Sequence, residues 1–262
     1  MFEMRVIMNI KILIATHKAY EMPSDDIYLP IHVGKEGKNL ELGLAGDNTG
    51  ENISVQNDKY CELTALYWAW KNLDADYIGL VHYRRHFAGW HSSKTLMEKV
   101  LSRNEVERLL NKVDIILPNK RNYYIETIES HYAHTHTPEH LAALRQILKT
   151  EYPEYMQPLE NVLKRTEAHM FNMFIMKRDR VNEYCTWLFP ILEELDKKID
   201  SSVYNAFEKR FLGRVSEILF DTWIEKNGYS YTEIPIIHME GQNWPNKIVK
   251  FLKAKFLRRA YS

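Results

Sequence analysis

The most distinctive polar segment of the chain ends an apolar run, 77–83, and continues beyond it as His82-Tyr83-Arg84-Arg85-His86. Adjacent arginines can hold a phosphate group through paired hydrogen bonds. Histidines can bind a metal or transfer protons near neutral pH. If the run is a strand, alternation places His82 and Arg84 on one face and Tyr83 and Arg85 on the other. The segment therefore predicts an anion-binding group of side chains at a strand end.

Two carboxylates, Asp74 and Asp76, precede the same run and form a literal Asp-x-Asp pair. Such a pair holds a divalent cation against a nucleoside diphosphate in many sugar transferases. Ligands of open α/β sheets bind at the carboxyl ends of the strands, whereas this pair lies at the amino end. We therefore interpret it as a solvated connection and expect no metal site there. Ion pairs from these carboxylates to Arg84 and Arg85 are the structural alternative to anion binding.

Two further predicted strand ends are polar as well. The run 6–15 leads into Thr16-His17-Lys18, and the run 113–117 leads into residues 118–121. Because the carboxyl ends of parallel strands meet at one edge of a sheet, the three ends predict a single binding site. Its cations favour an anionic ligand such as a diphosphate. Solvated turns are the alternative interpretation.

A candidate general base, Glu217, lies in a predicted helix whose apolar stripe includes Val215 and Leu219. Burial near such a stripe raises the pKa of a carboxyl group toward the range of a general base. A salt bridge from Glu217 to Arg210 or Arg214 is the alternative.

Alternating histidines form a second cluster at residues 131–136. On an extended segment, His134 and His136 share one side and could bind zinc. No Cys or carboxylate accompanies them at the usual ligand spacing, so we do not expect a structural zinc. A substrate contact and a surface or capping role both stay open for each histidine.

Size and composition describe an ordinary globular protein. The 262 residues contain 45% hydrophobic and 27% charged residues, which excludes a disordered or fibrous chain. Lys plus Arg and Asp plus Glu both number 35, so no overall charge suggests nucleic-acid binding. Two cysteines are too few for a disulfide framework, and no apolar run is long enough to span a membrane. We expect a cytoplasmic protein.

The elements that must position these side chains alternate along the first half of the chain. Strands are predicted at 6–15, 29–33, 77–83, 113–117, 170–177 and 234–238. Helices are predicted at 59–72, 94–111, 138–150, 155–166, 179–198 and 204–227. This order predicts an α/β fold in which helices flank a mostly parallel central sheet. We expect one domain, 1–245, followed by a helical C-terminal extension, 246–262.

The C-terminal extension is basic and amphipathic. Between Lys247 and Arg259 it has six basic residues, no acidic residue and an interleaved set of large apolar side chains. Such a helix is typical of binding to an anionic membrane surface, here the inner face of the plasma membrane. Docking of the same apolar stripe on the protein itself is the alternative.

Three segments carry a resemblance to a known family: GDNTGENIS at 46–54, YCELTALYWAWKN at 60–72 and GLVHYRRHF at 79–87. Here the chain resembles the bacterial capsular polysaccharide synthesis family of glycosyltransferases, formerly a domain of unknown function. One branch of that family is linked to galactofuranose transfer in O-antigen assembly. The resemblance continues through 172–177, 184–189 and 210–217, and covers the chain from Ile10 to about Pro235.

The resemblance implies a GT-A-like fold that binds a nucleotide-diphospho-sugar. It places Thr16 and His17 at the nucleobase, and segment 82–85 where the wider fold carries Asp-x-Asp. It also places 170–177 and the helix of Glu217 where acceptor-binding and base-supplying elements lie. Since Asp-x-Asp is missing from segment 82–85, we expect no required cofactor, and Mn²⁺ or Mg²⁺ is the alternative.

The sequence-based hypothesis is a hexosyltransferase, inverting at the anomeric carbon. It would move a galactofuranosyl or galactosyl unit from a UDP-sugar to a capsular, exopolysaccharide or O-antigen acceptor, either free or lipid-linked. The predicted catalytic residues are Glu217 and His82. The predicted donor-binding residues are Thr16, His17, Lys18, Asp47, Asn48, Asn52, Tyr83, Arg84 and Arg85, and the predicted acceptor-binding residues are His136, Asn172 and Met173. A non-catalytic nucleotide- or glycan-binding module in an assembly complex is the alternative.

Overall fold

The computed structural model describes residues 8–241. The first apolar run of the sequence forms a central strand of its sheet. This strand, β1, spans Ile10–Thr16, and every residue except Lys11 is buried. A strand buried on both faces is typical of the middle of a parallel sheet. The extension 246–262 lies outside the described residues, so its contact with membranes stays a prediction. Sedimentation with anionic liposomes, compared with a chain truncated after Trp244, tests it.

The strands of the described part form one large sheet and a small two-stranded sheet. After β1 they are β2 (Tyr28–His32), β3 (Ala45–Gly46), β4 (Tyr77–His82), β5 (Arg85–Phe87), β6 (Ile115–Pro118), β7 (Arg121–Asn122), β8 (Glu167–Ala168), β9 (Phe174–Lys177), β10 (Thr232–Ile234) and β11 (Ile236–His238). The main path through the large sheet is β10-β6-β9-β4-β1-β2-β3, and β7 pairs with β8.

Strand directions bring the polar ends together. β1 is parallel to β2 and β4, and β10 is parallel to β6. β9 runs antiparallel between β4 and β6, so these two are parallel to each other. The carboxyl ends of β1, β2, β4 and β6 therefore meet the amino end of β9 at one edge, which we call the carboxyl edge. The prediction of an α/β fold with a mostly parallel central sheet is confirmed.

The helices are α1 (Asn57–Tyr60), α2 (Leu63–Asn72), α3 (Arg103–Leu110), α4 (Ile128–Thr135), α5 (Glu139–Glu151), α6 (Met156–Lys164), α7 (Arg178–Lys198) and α8 (Phe211–Asn227). They cover both faces of the sheet, which pleating separates by alternate residues. Leu13 and Ile78 join the core under α2 and α5–α8, whereas Ile12 and Val81 join a smaller core under α3. Across residues 8–241, no helix combines the length and the hydrophobicity of a membrane span.

Several predicted helices differ from the observed ones at their ends. The helix predicted at 59–72 is divided between α1 and α2, because Cys61 adopts the left-handed conformation with φ 53°. Only Arg103–Leu110 of the region 94–111 is helical, and the region 204–227 is α-helical only from Phe211. The division at Cys61 places the residue after it, Glu62, ahead of the first turn of α2.

The predicted strand alternation beyond residue 82 is wrong. β4 ends at His82, a tight turn follows, and β5 begins at Arg85, which is in register opposite His82. His82 and Arg85 therefore lie side by side, while Tyr83 and Arg84 form the tip of the turn. Alternation holds only in a continuous strand, and the chain reverses direction here.

The predicted extended segment at 131–136 is also wrong, because residues 128–135 form helix α4. In a helix, His131 and His134 share a face. Their Nδ1 atoms lie 3.2 and 3.0 Å from the two carboxylate oxygens of Glu126. Buried Glu126 therefore contacts both of these histidines. His134 and His136 do not share one side of an extended segment, which the predicted zinc arrangement needed.

Candidate active site

A pocket of about 470 Å³ opens at the carboxyl edge, where β1 and β4 end. We call it the strand-end pocket. Its walls include three cationic side chains, two histidines and two carboxylates: Arg84, Lys209, Arg210, His17, His82, Asp58 and Glu62. Positive charges in a concave site attract anions, so the electrostatics of the pocket suit a phosphorylated ligand.

An aromatic and cationic wall is built around Tyr83, whose ring lies 5.4 Å from that of His17. The Nζ of Lys18 and the guanidinium carbon of Arg84 each lie 5.1 Å from the centre of the Tyr83 ring. Glu240 approaches both cations, at 3.3 Å from Arg84 and 3.6 Å from Lys18. A carboxylate therefore already lies against the cations that we expect to meet a phosphate.

A left-handed turn immediately before β9 lies beside this pocket. Phe171 and Asn172 have φ values of 76° and 51°, which side chains other than glycine seldom adopt. The backbone N–H of Phe171 donates to Glu217 Oε1 at 2.9 Å, and its carbonyl accepts from His82 Nε2 at 2.7 Å. Strained turns of this kind persist where neighbouring contacts over-determine them, often at functional sites. The turn joins both predicted catalytic residues.

The Asn172 side chain fixes the turn to its surroundings. Its amide donates to Glu62 Oε1 at 2.6 Å and to the Gly213 carbonyl at 2.8 Å. Its carbonyl accepts from Ser216 Oγ at 2.9 Å. With 5% exposure and these three bonds, Asn172 organises the site, which argues against the predicted contact with an acceptor.

The carboxyl group of Glu217 has a strongly raised pKa. Burial, together with the nearby Glu62 carboxylate, raises the pKa of Glu217 to about 8. The Phe171 N–H, Arg121 and Arg85 oppose this rise. Among the described residues, no salt bridge joins Glu217 to Arg210 or Arg214. The side chain is therefore a carboxyl group near its midpoint of ionisation at neutral to mildly alkaline pH.

The histidine bonded to the turn is neutral. Burial lowers the pKa of His82, with Glu62 and the Phe171 carbonyl opposing. Since a carbonyl oxygen can only accept, Nε2 of His82 carries the proton in this contact. Beside it, the Arg85 guanidinium lies 4.2 Å from the centre of the Phe171 ring. His82 and Arg85 hold the turn from two sides.

A second, small cavity of about 40 Å³ borders Glu217, and it shares no lining residue with the strand-end pocket. Arg214 lines this cavity, lies 3.8 Å from the Phe207 ring and donates to His136 Nδ1 at 2.9 Å. Burial and the adjacent Arg214 lower the pKa of His136 to about 3. His136 is therefore a neutral acceptor bonded to Arg214, which lines the cavity that borders Glu217.

Other residues predicted to bind the donor build loops instead. The Thr16 hydroxyl donates to the Lys18 carbonyl at 2.6 Å. Buried Asp47 accepts from the backbone N–H groups of Gly34 and Lys35 at 2.7 and 3.1 Å, and also from the Ser54 hydroxyl. Its carboxylate is thus occupied within the protein.

Three more of the predicted residues, Asn48, Asn52 and Met173, contact other parts of the protein. Asn48 donates to Glu36 at 3.4 Å, and Asn52 donates to the Gly50 carbonyl at 3.0 Å. Met173 is 1% exposed in the smaller core, so its burial argues against a contact with an acceptor. The strand-end pocket and the turn therefore bring together only part of the predicted set.

The sequence interpretation missed Glu62, Lys209 and Arg210 in the pocket walls. One signal was available for Glu62, which is the only charged residue between Tyr60 and Trp70. A carboxylate within an apolar segment is seldom buried without a partner or a task. No comparable signal marks Lys209 and Arg210, because they reach the pocket through the entry into α8.

Asp74 and Asp76 lie in a solvated connection ahead of β4, as the sequence predicts. Asp76 accepts from the Asn9 backbone N–H at 2.9 Å, and the Asn9 side chain donates to the Asp74 carbonyl at 2.9 Å. Both aspartates are exposed at the amino end of β4, opposite the strand-end pocket. Within residues 8–241, no three His, Cys, Asp or Glu side chains lie close enough together to hold a metal ion by themselves.

Comparison with known proteins gives one family and one solved structure. Residues 11–228 match the family described as a domain of unknown function, DUF4422. The solved apo structure of the WbbM bifunctional glycosyltransferase is similar at a TM-score of 0.82 and 33% identity over 89% of this chain. The match covers 46% of the WbbM chain, so this chain spans less than half of that protein's length. No curated protein matches.

Proposed function

The chain belongs to the DUF4422 family, and from that premise we propose that it is a glycosyltransferase with a GT-A-like fold. The observation that carries the proposal is the turn at Phe171, which joins a cationic pocket at the carboxyl edge to a carboxyl group of raised pKa. The similarity to a protein titled a glycosyltransferase supports it. We further propose that the transferred group is a hexosyl unit, galactosyl or galactofuranosyl, from a UDP-sugar.

The donor would lie in the strand-end pocket. Its diphosphate would contact Arg84 and Arg210, whose guanidinium groups match phosphate geometry. Its nucleoside would pack against the exposed His17, whose ring lies 5.4 Å from that of buried Tyr83. Lysine and arginine groups placed where negative charge develops stabilise a leaving diphosphate in the same way as a bound cation.

Chemistry would occur at the turn between the two cavities. The acceptor hydroxyl would lose its proton to Glu217 while its oxygen attacks the anomeric carbon. The bond from that carbon to the diphosphate oxygen would break, and the electron pair would leave with UDP. A single displacement of this kind inverts the anomeric centre. His82 would act as a positioning residue. Its Nε2–H donates to the backbone carbonyl of Phe171, and the backbone N–H of Phe171 in turn orients Glu217.

The acceptor is proposed to be a capsular, exopolysaccharide or O-antigen glycan, free or lipid-linked. Arg214 lines the small cavity that borders Glu217 and donates to His136 Nδ1 at 2.9 Å. We propose that glycan hydroxyls contact this pair. A lipid-linked acceptor would bring the protein to the inner face of the plasma membrane.

The direct test is turnover with a panel of UDP-hexoses, including UDP-galactopyranose and UDP-galactofuranose, and lipid-linked glycan acceptors. We expect UDP release coupled to a glycan one hexose longer, identified by mass spectrometry. Tight UDP binding without turnover on any donor would reject the proposal. It would favour the alternative, a binding module in an assembly complex.

The pH dependence should report Glu217. A base acts in its ionised form, and the pKa of Glu217 is about 8, so kcat/KM should rise with pH and level off above pH 8. Below that value the rise should be about tenfold per pH unit. Burial lowers the pKa of His82, away from that of Glu217. A profile that stays flat between about pH 6 and 9 would contradict the assignment.

Glu240 should compete with the donor diphosphate for Lys18 and Arg84. Replacing Glu240 by Gln removes this competing charge, and exposed ion pairs are weak, so the Kd for UDP should fall only about two- to fivefold. Calorimetric titration at low salt measures the change, and the gain should shrink as salt rises. Weaker UDP binding by the variant would show that Glu240 contacts the ligand instead.

Metal ions are proposed not to be required for transfer, because Arg84, Arg210 and Lys209 supply positive charge to the diphosphate. We expect substantial activity to persist in excess chelator. Complete loss, restored by Mn²⁺ or Mg²⁺, would contradict this and point to His82 or His86 as ligands. Elemental analysis of the active protein provides the independent check.

A further inference from the structure

Glu62 is a carboxylate in the strand-end pocket that the proposed reaction does not yet use. It lies ahead of the first turn of α2, and its side chain is only 10% exposed. Oε1 accepts from Asn172 at 2.6 Å and lies 3.9 Å from His82 Nε2. Within residues 8–241, Oε2 has no hydrogen bond, and no Lys or Arg forms a salt bridge with Glu62.

The unused oxygen of this largely buried carboxylate is left for water or for a ligand that enters the strand-end pocket. The ligand must donate, since an ionised carboxylate only accepts. A phosphate at neutral pH offers oxygens and negative charge, so it would be repelled. Hydroxyl groups are the donors that fit.

The position of Glu62 selects which hydroxyl groups these are. The preceding residue, Cys61, accepts from Arg210 Nε at 3.2 Å, so Glu62 lies next to a cation proposed for the diphosphate. The hexose is attached directly to that diphosphate and must lie close to it. Glu217 lies on the other side of the Phe171 turn, where the acceptor is proposed to enter.

We propose that Glu62 accepts hydrogen bonds from hydroxyl groups of the donor hexose and so determines which UDP-hexose is bound productively. This inference rests on the proposed glycosyltransferase function. Asn172 fixes one oxygen of the carboxylate and leaves the other facing the pocket. Epimers that move a hydroxyl group away from Glu62 lose that bond and leave the carboxylate unsatisfied, which is how polar pockets discriminate between substrates.

The test is calorimetric titration of wild type and Glu62→Gln with UDP and with the UDP-hexose that wild type binds best. Gln retains an oxygen that accepts from Asn172, so the site is preserved while the charge is removed. We expect UDP-hexose binding to weaken about 10- to 100-fold, toward the affinity of UDP itself, while UDP binding is unchanged or slightly tighter. Glu183→Gln, an exposed carboxylate on α7, is the matched control and should change neither.

Each other outcome has a defined meaning. Equal weakening of UDP and UDP-hexose would assign Glu62 a structural role and overturn the inference, as would unchanged UDP-hexose binding. If wild type binds neither ligand, the proposed function fails together with the inference. If Glu62→Gln does not fold, Glu62→Asp replaces it: the shorter side chain should change the order of preference among epimeric UDP-hexoses, and an unchanged order overturns the inference.

Discussion

Replacing Glu217 by Gln is expected to lower kcat by about 10²–10⁴-fold, the usual contribution of a general base. The variant keeps the volume of the side chain and its acceptor for the Phe171 N–H, but it cannot take a proton. Donor binding should stay within about twofold of wild type, because Glu217 borders the small cavity rather than the strand-end pocket. Steady-state kinetics and UDP titration measure the two quantities.

A matched control lies on the same helix. Glu225→Gln, two turns further along α8 and paired with Arg165, should retain wild-type kcat. Retention by Glu217→Gln of more than about a tenth of wild-type kcat would remove Glu217 from the mechanism. In Glu217→Gln, the rise of kcat/KM with pH should also disappear.

Stability should move in the opposite direction to activity. The folded pKa of Glu217 is about 8, above its ordinary value of 4.5, so the folded state binds more protons than the unfolded state between these values. The free energy of unfolding therefore falls as pH rises through that interval. Gln has no such penalty, and Glu217→Gln should melt on the order of 5 °C higher than wild type at pH 8.5 and equally at pH 4.

Replacing Arg84 by Ala is expected to weaken UDP binding about 10- to 100-fold, since it removes charge-assisted bonds to the diphosphate. The loss in kcat/KM should be larger, about 10²–10³-fold, because charge on the leaving group grows in the transition state. Titration with UDP and with uridine separates the phosphate contribution, and uridine binding should not change.

Arg180→Ala is the control for this prediction. Arg180 lies at the start of α7, near the amino end of the sheet, and pairs with Glu183 at 3.0 Å. It should bind UDP as wild type does. Arg84→Lys should retain part of the affinity for UDP. Lysine keeps the positive charge but lacks the planar guanidinium group that binds phosphate through two hydrogen bonds. Undiminished UDP binding by Arg84→Ala would show that the diphosphate does not bind at this wall.

The sheet was predictable because its signals are local. The apolar runs that became β1 and β4 are buried segments bounded by polar turns, and such runs report strands directly. The meeting of Thr16, His82 and Arg121 near one edge followed from the parallel order alone. The turn at Tyr83 was not predictable, because neither Gly nor Asn marks it.

The chemistry of the site depends on contacts distant in sequence. Phe171 takes a left-handed backbone conformation against its own propensity, because Glu217 and His82 bind it. Asn172 tolerates that conformation better, and Ser216 binds its side chain. Local patterns identified Glu217 as a candidate, but only the tertiary structure showed the turn that connects it to the pocket.

The most direct test of the central claim is a crystal structure of Glu217→Gln with a bound UDP-hexose. The proposed function predicts the diphosphate between Arg84 and Arg210, the side chain of Glu240 displaced from Arg84, and the anomeric carbon facing position 217 across the Phe171 turn. Binding of the nucleotide at another surface, with the strand-end pocket empty, would contradict the claim.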